Sequence, residues 1–149
     1  MKEEFCYLLR VRYAECDAQQ VVFNGKYVEY IDIAVTEFVR VSLGNYKELI
    51  ASGIDYQVVS ITVNWKAPAH FDEVLAIHIR LLKMGNTSFT LEVGFYNYQD
   101  ETLVATGQIT YVVVNSIEHN KMPIPANMRA ILEKGAPGVV VNHSGVEIG

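Results

Sequence analysis

The sequence predicts an α+β fold in which a curved antiparallel sheet lies against one long central helix. Three observations carry that prediction. Apolar residues recur at helical spacing over residues 25–42, and four stretches of period two follow between residues 55 and 115. The turns joining those stretches are short, which makes neighbouring strands antiparallel. One buried helix on such a sheet is a two-layer arrangement around a single core.

Residues 5–13 alternate well enough to read as a first strand. A polar, irregular stretch, 14–24, leads into the helix. Within 25–42, Val28, Ile31, Val35, Phe38 and Val39 recur at steps of three and four, while Ile33, Ala34 and Val41 add apolar surface on a second side. That helix is expected to be apolar over most of its girth and largely buried. Gly44 ends it in a C-cap role, and residues 45–52 read as a short second helix closed by Gly53. The period then changes to two. Residues 55–65 form a strand that stops at the turn Ala67-Pro68-Ala69. Residues 73–83 set Leu75, Ile77, Ile79 and Leu81 on one face, with His78 and Arg80 on the other. Gly85-Asn86-Thr87 is a hairpin signal, after which 88–98 places Phe89, Leu91, Val93 and Phe95 on one face. Gln99-Asp100-Glu101 is a second turn, and 102–115 completes the set. A short helix is expected at 126–134, behind Pro123 and Pro125. The tail, 135–149, shows no period and is expected to be mobile.

The 149 residues are expected to form one domain, 1–149, with its core at about 5–133. Half of them are hydrophobic and 19% are charged, a balance that supports a sizeable core and excludes a disordered chain. Nine Tyr and six Phe fit the strand content, since aromatic rings suit pleated surfaces. A net charge of −5 without a Lys/Arg run leaves no basic footprint for nucleic acid. A polyanionic small ligand is still compatible, because local charges hold phosphates. Cys6 and Cys16 form no CxxC pair and read as reduced thiols of a cytoplasmic protein. Met1-Lys2-Glu3-Glu4 is acidic and leads straight into a strand pattern, so no signal peptide is expected. No apolar run reaches the roughly 18 residues of a membrane span.

Several common sites are missing from the sequence: there is no GxSxG, HExxH, GxGxxG or P-loop. His70, His78, His119 and His143 are scattered, without metal-ligand spacing, so no metal site is expected. The remaining candidate is the segment 13–27 between the first strand and the helix. A helix N-terminus offers free backbone N–H groups and partial positive charge, and such donors can hold a developing oxyanion. A carboxylate just upstream could attack the same carbonyl or deprotonate a water that does. Asp17 sits where that carboxylate is needed. It is equally a residue type that caps helices and forms turns. Glu15 and Asp32 are rivals of the same charge. Glu15 is expected to face solvent at the strand end, and Asp32 to lie on a polar strip of the helix.

The matching residues Val11-Arg12-Tyr13, Asp17, Val21-Val22-Phe23 and Tyr27, then Tyr30-Ile31-Asp32, give the chain a recognisable pattern. It continues through Trp65-Lys66-Ala67-Pro68-Ala69-His70-Phe71-Asp72-Glu73, Gly85-Asn86-Thr87-Ser88-Phe89 and Val104-Ala105-Thr106-Gly107. Over roughly residues 5–133 the sequence resembles the 4-hydroxybenzoyl-CoA thioesterase-like branch of the hot-dog superfamily, which includes the acyl-CoA thioesterases associated with the Tol–Pal gene cluster. The resemblance implies a hot-dog fold, its sheet wrapped around the long helix. It also implies a homodimer or homotetramer in which two sheets join and active sites lie at the subunit interface. By the same resemblance Asp17 is the catalytic carboxylate, and the backbone N–H of Asn24 polarises the thioester carbonyl. The family usually has Gly or another small or apolar residue where Gln20 stands. Where one branch has an assisting His, this chain has Asn24; the backbone donor does not depend on that side chain.

A thioester suits so spare a site. Its thiol leaving group has a pKa near ~8.5 and departs with little acid assistance, while one oxyanion donor is worth roughly 3–4 kcal/mol. Whether Asp17 attacks or activates water is open at this level. No cofactor beyond the substrate's own CoA is expected. Lys66, Arg80 and Lys83 are candidate cations for the CoA phosphates, with Ser88 as a hydrogen-bond donor; each reads equally well as a solvated strand-edge group. Phe23 and Tyr27 are the candidate lining of the acyl pocket. One rival is a non-catalytic acyl-CoA or acyl-carrier binding or assembly module of the same fold. A second is a hydratase or dehydratase, which needs a His at the helix start; residues 14–30 hold none. A third is a structural tetramer without a ligand.

Overall fold

Each expected strand forms, and the protein's tail adds one more. The computed structural model describes residues 4–148. Its elements are β1 (Phe5–Arg10), a single 3-10 turn (Tyr13–Glu15), α1 (Lys26–Ser42), α2 (Tyr46–Ala51), β2 (Ile54–Trp65), β3 (Val74–Met84), β4 (Ser88–Asn97), β5 (Leu103–Asn115), α3 (Ala126–Lys134) and β6 (Val140–Asn142). The described residues build a six-stranded sheet in the order β2-β5-β4-β3-β1-β6. All neighbours run antiparallel except β1 and β6, which are parallel. The arrangement is the hot-dog form of the α+β class, with α1 cradled by the sheet.

Period two decides which face of each strand meets the helix. Leu75, Ile77 and Ile79 of β3, Leu91, Val93 and Phe95 of β4, and Ala105 and Ile109 of β5 are all buried against α1. Full burial of one such large side chain contributes about 1.5–3 kcal/mol. From α1, Tyr27, Tyr30, Ile31, Ala34, Val35, Phe38 and Val39 enter the same cluster. Helix and sheet come close at Gly107, where a Cβ would stand 3.0 Å from Ile31 Cδ1.

The helix is not buried over most of its girth: Val28 and Val41 are exposed and Ile33 is only half-buried. Val28 and Ile33 line an open groove between α1 and β2 instead of entering the core. The first strand is also shorter than the alternation suggests. It stops at Arg10 because Val11 N–H turns to Glu73 O (2.8 Å) and Arg12 N–H to the Glu15 carboxylate (2.8 Å). The tail, expected to be mobile, instead supplies β6. Cys6 N–H donates to Val139 O, His143 N–H donates to Leu8 O, and Ser144 is buried. A three-residue strand has no readable period, and its partner lies some 130 positions away.

Candidate functional site

The segment between β1 and α1 is folded into one compact unit by its own backbone. Asp17 N–H donates to Val21 O and Gln20 N–H to Asp17 O, both at 2.9 Å, closing a tight turn. Gln20 sits in that turn at φ +64, a left-handed conformation that favours Gly. A Gly at this position would adopt that conformation without the cost of a Cβ. The loop is sewn to the turn after β2 by Val22 N–H to Ala69 O (2.8 Å) and by Phe71 N–H to Gln20 O (3.2 Å). Phe23 N–H donates to Glu15 O at 3.0 Å, which brings the two ends of the loop together.

Asp17 is exposed in the single chain, and its Oδ1 accepts the Gln19 N–H at 2.8 Å. At the other end of the loop, α1 begins at Lys26 with Gly25 as its N-cap. The carbonyls of Phe23, Asn24 and Gly25 accept from Lys26, Tyr27 and Val28. The N–H groups of Asn24 and Gly25 find no acceptor among the described residues. They are the orphan donors that every helix start leaves, and the helix dipole adds positive charge beside them. Phe23, 57% exposed, lays its ring over Gly25, where a Cβ would lie 2.9 Å from Phe23 Cε2.

The expectation for Glu15 is overturned. It does not face solvent: only 5% of it is accessible. Oε1 accepts from Arg12 N–H (2.8 Å) and Tyr30 Oη (2.9 Å), and Oε2 from Arg12 Nε (3.1 Å) and Nη2 (2.7 Å). Burial alone would raise this carboxyl. The Arg12 guanidinium and N–H, with the Tyr30 hydroxyl, outweigh burial and hold it below the ordinary carboxylate range. The matching effect on Tyr30 is a phenol pushed up by burial and by Glu15. The spacing Arg12-x-x-Glu15 was the one available sequence signal for this pair; nothing local pointed to Tyr30.

Asp32, the other rival, is exposed on α1, eight residues or about 12 Å of helix rise beyond Asn24. It lines two adjoining grooves between α1 and β2. One, of about 500 Å³, is bounded by Val28, Ile33, Val58, Ile61 and Ile109. The other, of about 340 Å³, continues past Thr36 to Tyr46, Tyr56 and Tyr111.

Of the remaining candidates, Lys66 alone stands near the Asp17 loop, since its exposed side chain is three residues before Ala69. Arg80, Lys83 and Ser88 are not brought there within one chain. The loop meets β3 at its start, where Val11 bonds Glu73. Arg80 and Lys83 lie six and nine residues past Val74 on β3, roughly 20 and 30 Å at strand rise. Ser88 is at the same far end, in the hairpin where its carbonyl accepts from Gly85. Arg80 is in addition paired with Glu92 across the sheet (Nε to Oε1, 2.9 Å). Tyr27 is not at the surface either. It is 2% exposed, its ring packs edge-on to Phe95 at 5.2 Å, and burial pushes its hydroxyl up to about 12. Its neighbour Val28 does face the groove. Among the described residues no group of three or more His, Cys, Asp or Glu side chains is arranged to hold a metal ion. No helix among them is long and apolar enough to cross a membrane.

Comparison with known proteins follows the same outline. A family model described as the thioesterase-like superfamily matches residues 11–132. The acyl-CoA thioester hydrolase YbgC of Escherichia coli O6:H1 is 28% identical over 126 residues, which is 85% of this chain and 93% of that protein. The long-chain acyl-CoA thioesterase FadM of Escherichia coli K12 is 25% identical over 126 residues, 85% of this chain and 95% of its own. Among solved structures, a gentisyl-coenzyme A thioesterase superposes with a TM-score of 0.76 at 28% identity, over 85% of this chain and 98% of its own.

Proposed function

This chain belongs to the thioesterase-like superfamily and is a thioesterase, and from that premise we propose that it hydrolyses an acyl-CoA to the free acid and CoA at the Asp17 loop. The observation that carries the reading is the pairing of Phe23 N–H with Glu15 O at 3.0 Å. It holds an accessible carboxylate, Asp17, and the Asn24 and Gly25 amides, which find no acceptor among the described residues, on one hydrogen-bonded loop.

In this reading the thioester carbonyl oxygen accepts from the Asn24 N–H at the positive end of α1. Polarisation of this kind strengthens as charge develops on the oxygen, so it acts on the transition state. Asp17 then either attacks the carbonyl carbon, giving an acyl–aspartyl anhydride that a water hydrolyses to regenerate the carboxylate, or takes a proton from a water that attacks the carbonyl directly. The C–S bond breaks and CoA leaves as a thiolate. The apolar groove bounded by Val28, Ile33, Val58, Ile61 and Ile109 begins at the first turns of α1 and seats the acyl group. Phe23 lies over Gly25 beside the Asn24 amide, and Lys66 is the cation best placed for a CoA phosphate.

A second copy of the chain completes the site. In one chain Asp17 is open to water, and so are Tyr13, Phe23, Val58, Val59 and Trp65. The last three belong to β2, which among the described residues ends the sheet with an unpaired edge. Pairing along that edge in a homodimer covers this apolar surface and encloses the carboxylate.

The test is thiol release measured across a panel of acyl-CoAs, from short aliphatic to aromatic. At least one member is turned over, and Asp17→Asn lowers kcat at least about a hundredfold, the scale of one principal acid–base group. Tight binding of every acyl-CoA without thiol release leaves an acyl-binding module in place of an enzyme. Full activity in Asp17→Asn removes Asp17 from its role.

A further inference from the structure

We propose that Glu15 is a positioning residue, whose buried carboxylate locks the Asp17 loop to α1 and so keeps the Asp17 acid in register with the Asn24 and Gly25 amides. The proposal rests on the reading of Asp17 as the reacting acid.

Glu15 is the point where three parts of the site meet. Its side chain takes the backbone and guanidinium donors of Arg12 at the entry to the loop, and the Tyr30 hydroxyl from the second turn of α1. Its carbonyl takes the Phe23 N–H at the exit of the loop. Asp17 follows two residues later, and the free amides precede Tyr30 by five to six residues, about 8–9 Å of helix rise. The loop is otherwise anchored to the turn after β2, through Ala69 and His70, and that turn does not belong to α1. The Tyr30–Glu15 bond is therefore the side-chain link that fixes how the helix start is set against the acid. Both Glu15 oxygens are saturated by donors inside the protein, with 5% of the residue accessible. Glu15 has no lone pair directed at a substrate and cannot itself be the attacking group.

Register matters because displacing a reacting group by about 1 Å can cost on the order of a hundredfold in rate. Glu15→Gln keeps the shape but loses the charge that draws Arg12, and Tyr30→Phe removes only the link to α1. The experiment measures kcat, KM and Tm for wild type, Glu15→Gln, Tyr30→Phe, Asp17→Asn and the double variant Glu15→Gln/Asp17→Asn, on the best acyl-CoA of the panel. Glu15→Gln is expected to lower kcat roughly 10–100-fold with KM within about threefold, and Tyr30→Phe to lower it in the same direction by less. In the double variant the residual rate is expected to match that of Asp17→Asn alone, since a group that acts through another has nothing left to act on. Undiminished kcat in Glu15→Gln overturns the proposal. So does a Glu15→Gln loss that adds in full on top of Asp17→Asn, the mark of general damage to the fold. If Glu15→Gln does not fold, Tyr30→Phe decides, and unchanged kcat there overturns the proposal. An active Asp17→Asn instead defeats the underlying assignment of the acid, and this proposal with it.

Discussion

The ring of Phe23 occupies the space a Cβ on Gly25 would need: the two would stand 2.9 Å apart. Gly25 has φ −66, so its backbone would accept any residue, and what it provides is room. Gly25→Ala is expected to leave Tm unchanged or slightly raised, by up to about 1 kcal/mol of stability, because it removes freedom from the unfolded chain. The exposed ring swings aside at little cost, and the mouth of the site changes shape. Steady-state kinetics should show kcat/KM down about tenfold, a loss of about 1.4 kcal/mol of transition-state binding. An unchanged kcat/KM would mean the ring has no part in substrate capture.

Gln20 holds φ +64 in the turn beside Asp17. A left-handed residue with a Cβ costs about 1–2 kcal/mol, and more with a branched side chain. Thermal unfolding is expected to rank Gln20→Gly at or above wild type, and Gln20→Val below it by about 1–2 kcal/mol.

Glu15 also makes an acid-stability prediction. Its native carboxyl lies below the ordinary value of 4.5, so below that pH the unfolded chain binds a proton that the native chain refuses. Native stability is therefore complete above about pH 4.5 and falls as pH drops through the lower native value. In Glu15→Gln this part of the acid slope should vanish. The variant should also be less stable at pH 7 by about 1–3 kcal/mol, the scale of stranding the buried Tyr30 hydroxyl. Urea midpoints at a series of pH values check both.

His78 gives a second, separable pH effect. It lies on the sheet face away from α1, opposite Cys6 in the β1–β3 register and edge-on to Tyr96 at 5.4 Å. Burial lowers it below 6.5, against the pull of the Glu4 carboxylate 4.0 Å away, and its Nδ1 is buried without a hydrogen bond. The unfolded chain takes up this proton first, so stability is full above pH 6.5 and declines below it. His78→Phe keeps a ring against Tyr96 and should abolish the decline between 6.5 and the native value, with kcat unaffected.

Lys66 and Arg80 differ in position, and kinetics should separate them. Lys66→Ala is expected to raise KM for acyl-CoA roughly fivefold, the scale of one exposed ion pair, with the effect fading at high salt. Arg80→Ala is expected to leave KM unchanged, because that guanidinium is already paired with Glu92. A rise in KM on Arg80→Ala would mean that a second copy brings this residue to the CoA.

The sequence by itself determined the class of fold, the succession of strands β1 to β5 along the chain, the central helix and the irregular loop that joins β1 to it. Those features are local: helical and two-residue periods survive in any stretch long enough to repeat, and Gly, Pro and Asn mark where they stop. Only the tertiary structure decided that Glu15 is an internal anchor, that Tyr27 packs inward while Val28 meets the groove, and that the tail closes the sheet as β6. The same holds for Arg80 and Lys83, which share a charge with Lys66 and lie at the other end of the sheet. Each of these depends on which distant residue fills the opposite side of a contact: Tyr30 for Glu15, Phe95 for Tyr27, Cys6 for Val140. One-dimensional spacing carries no record of such partners, because packing, and not period, selects them.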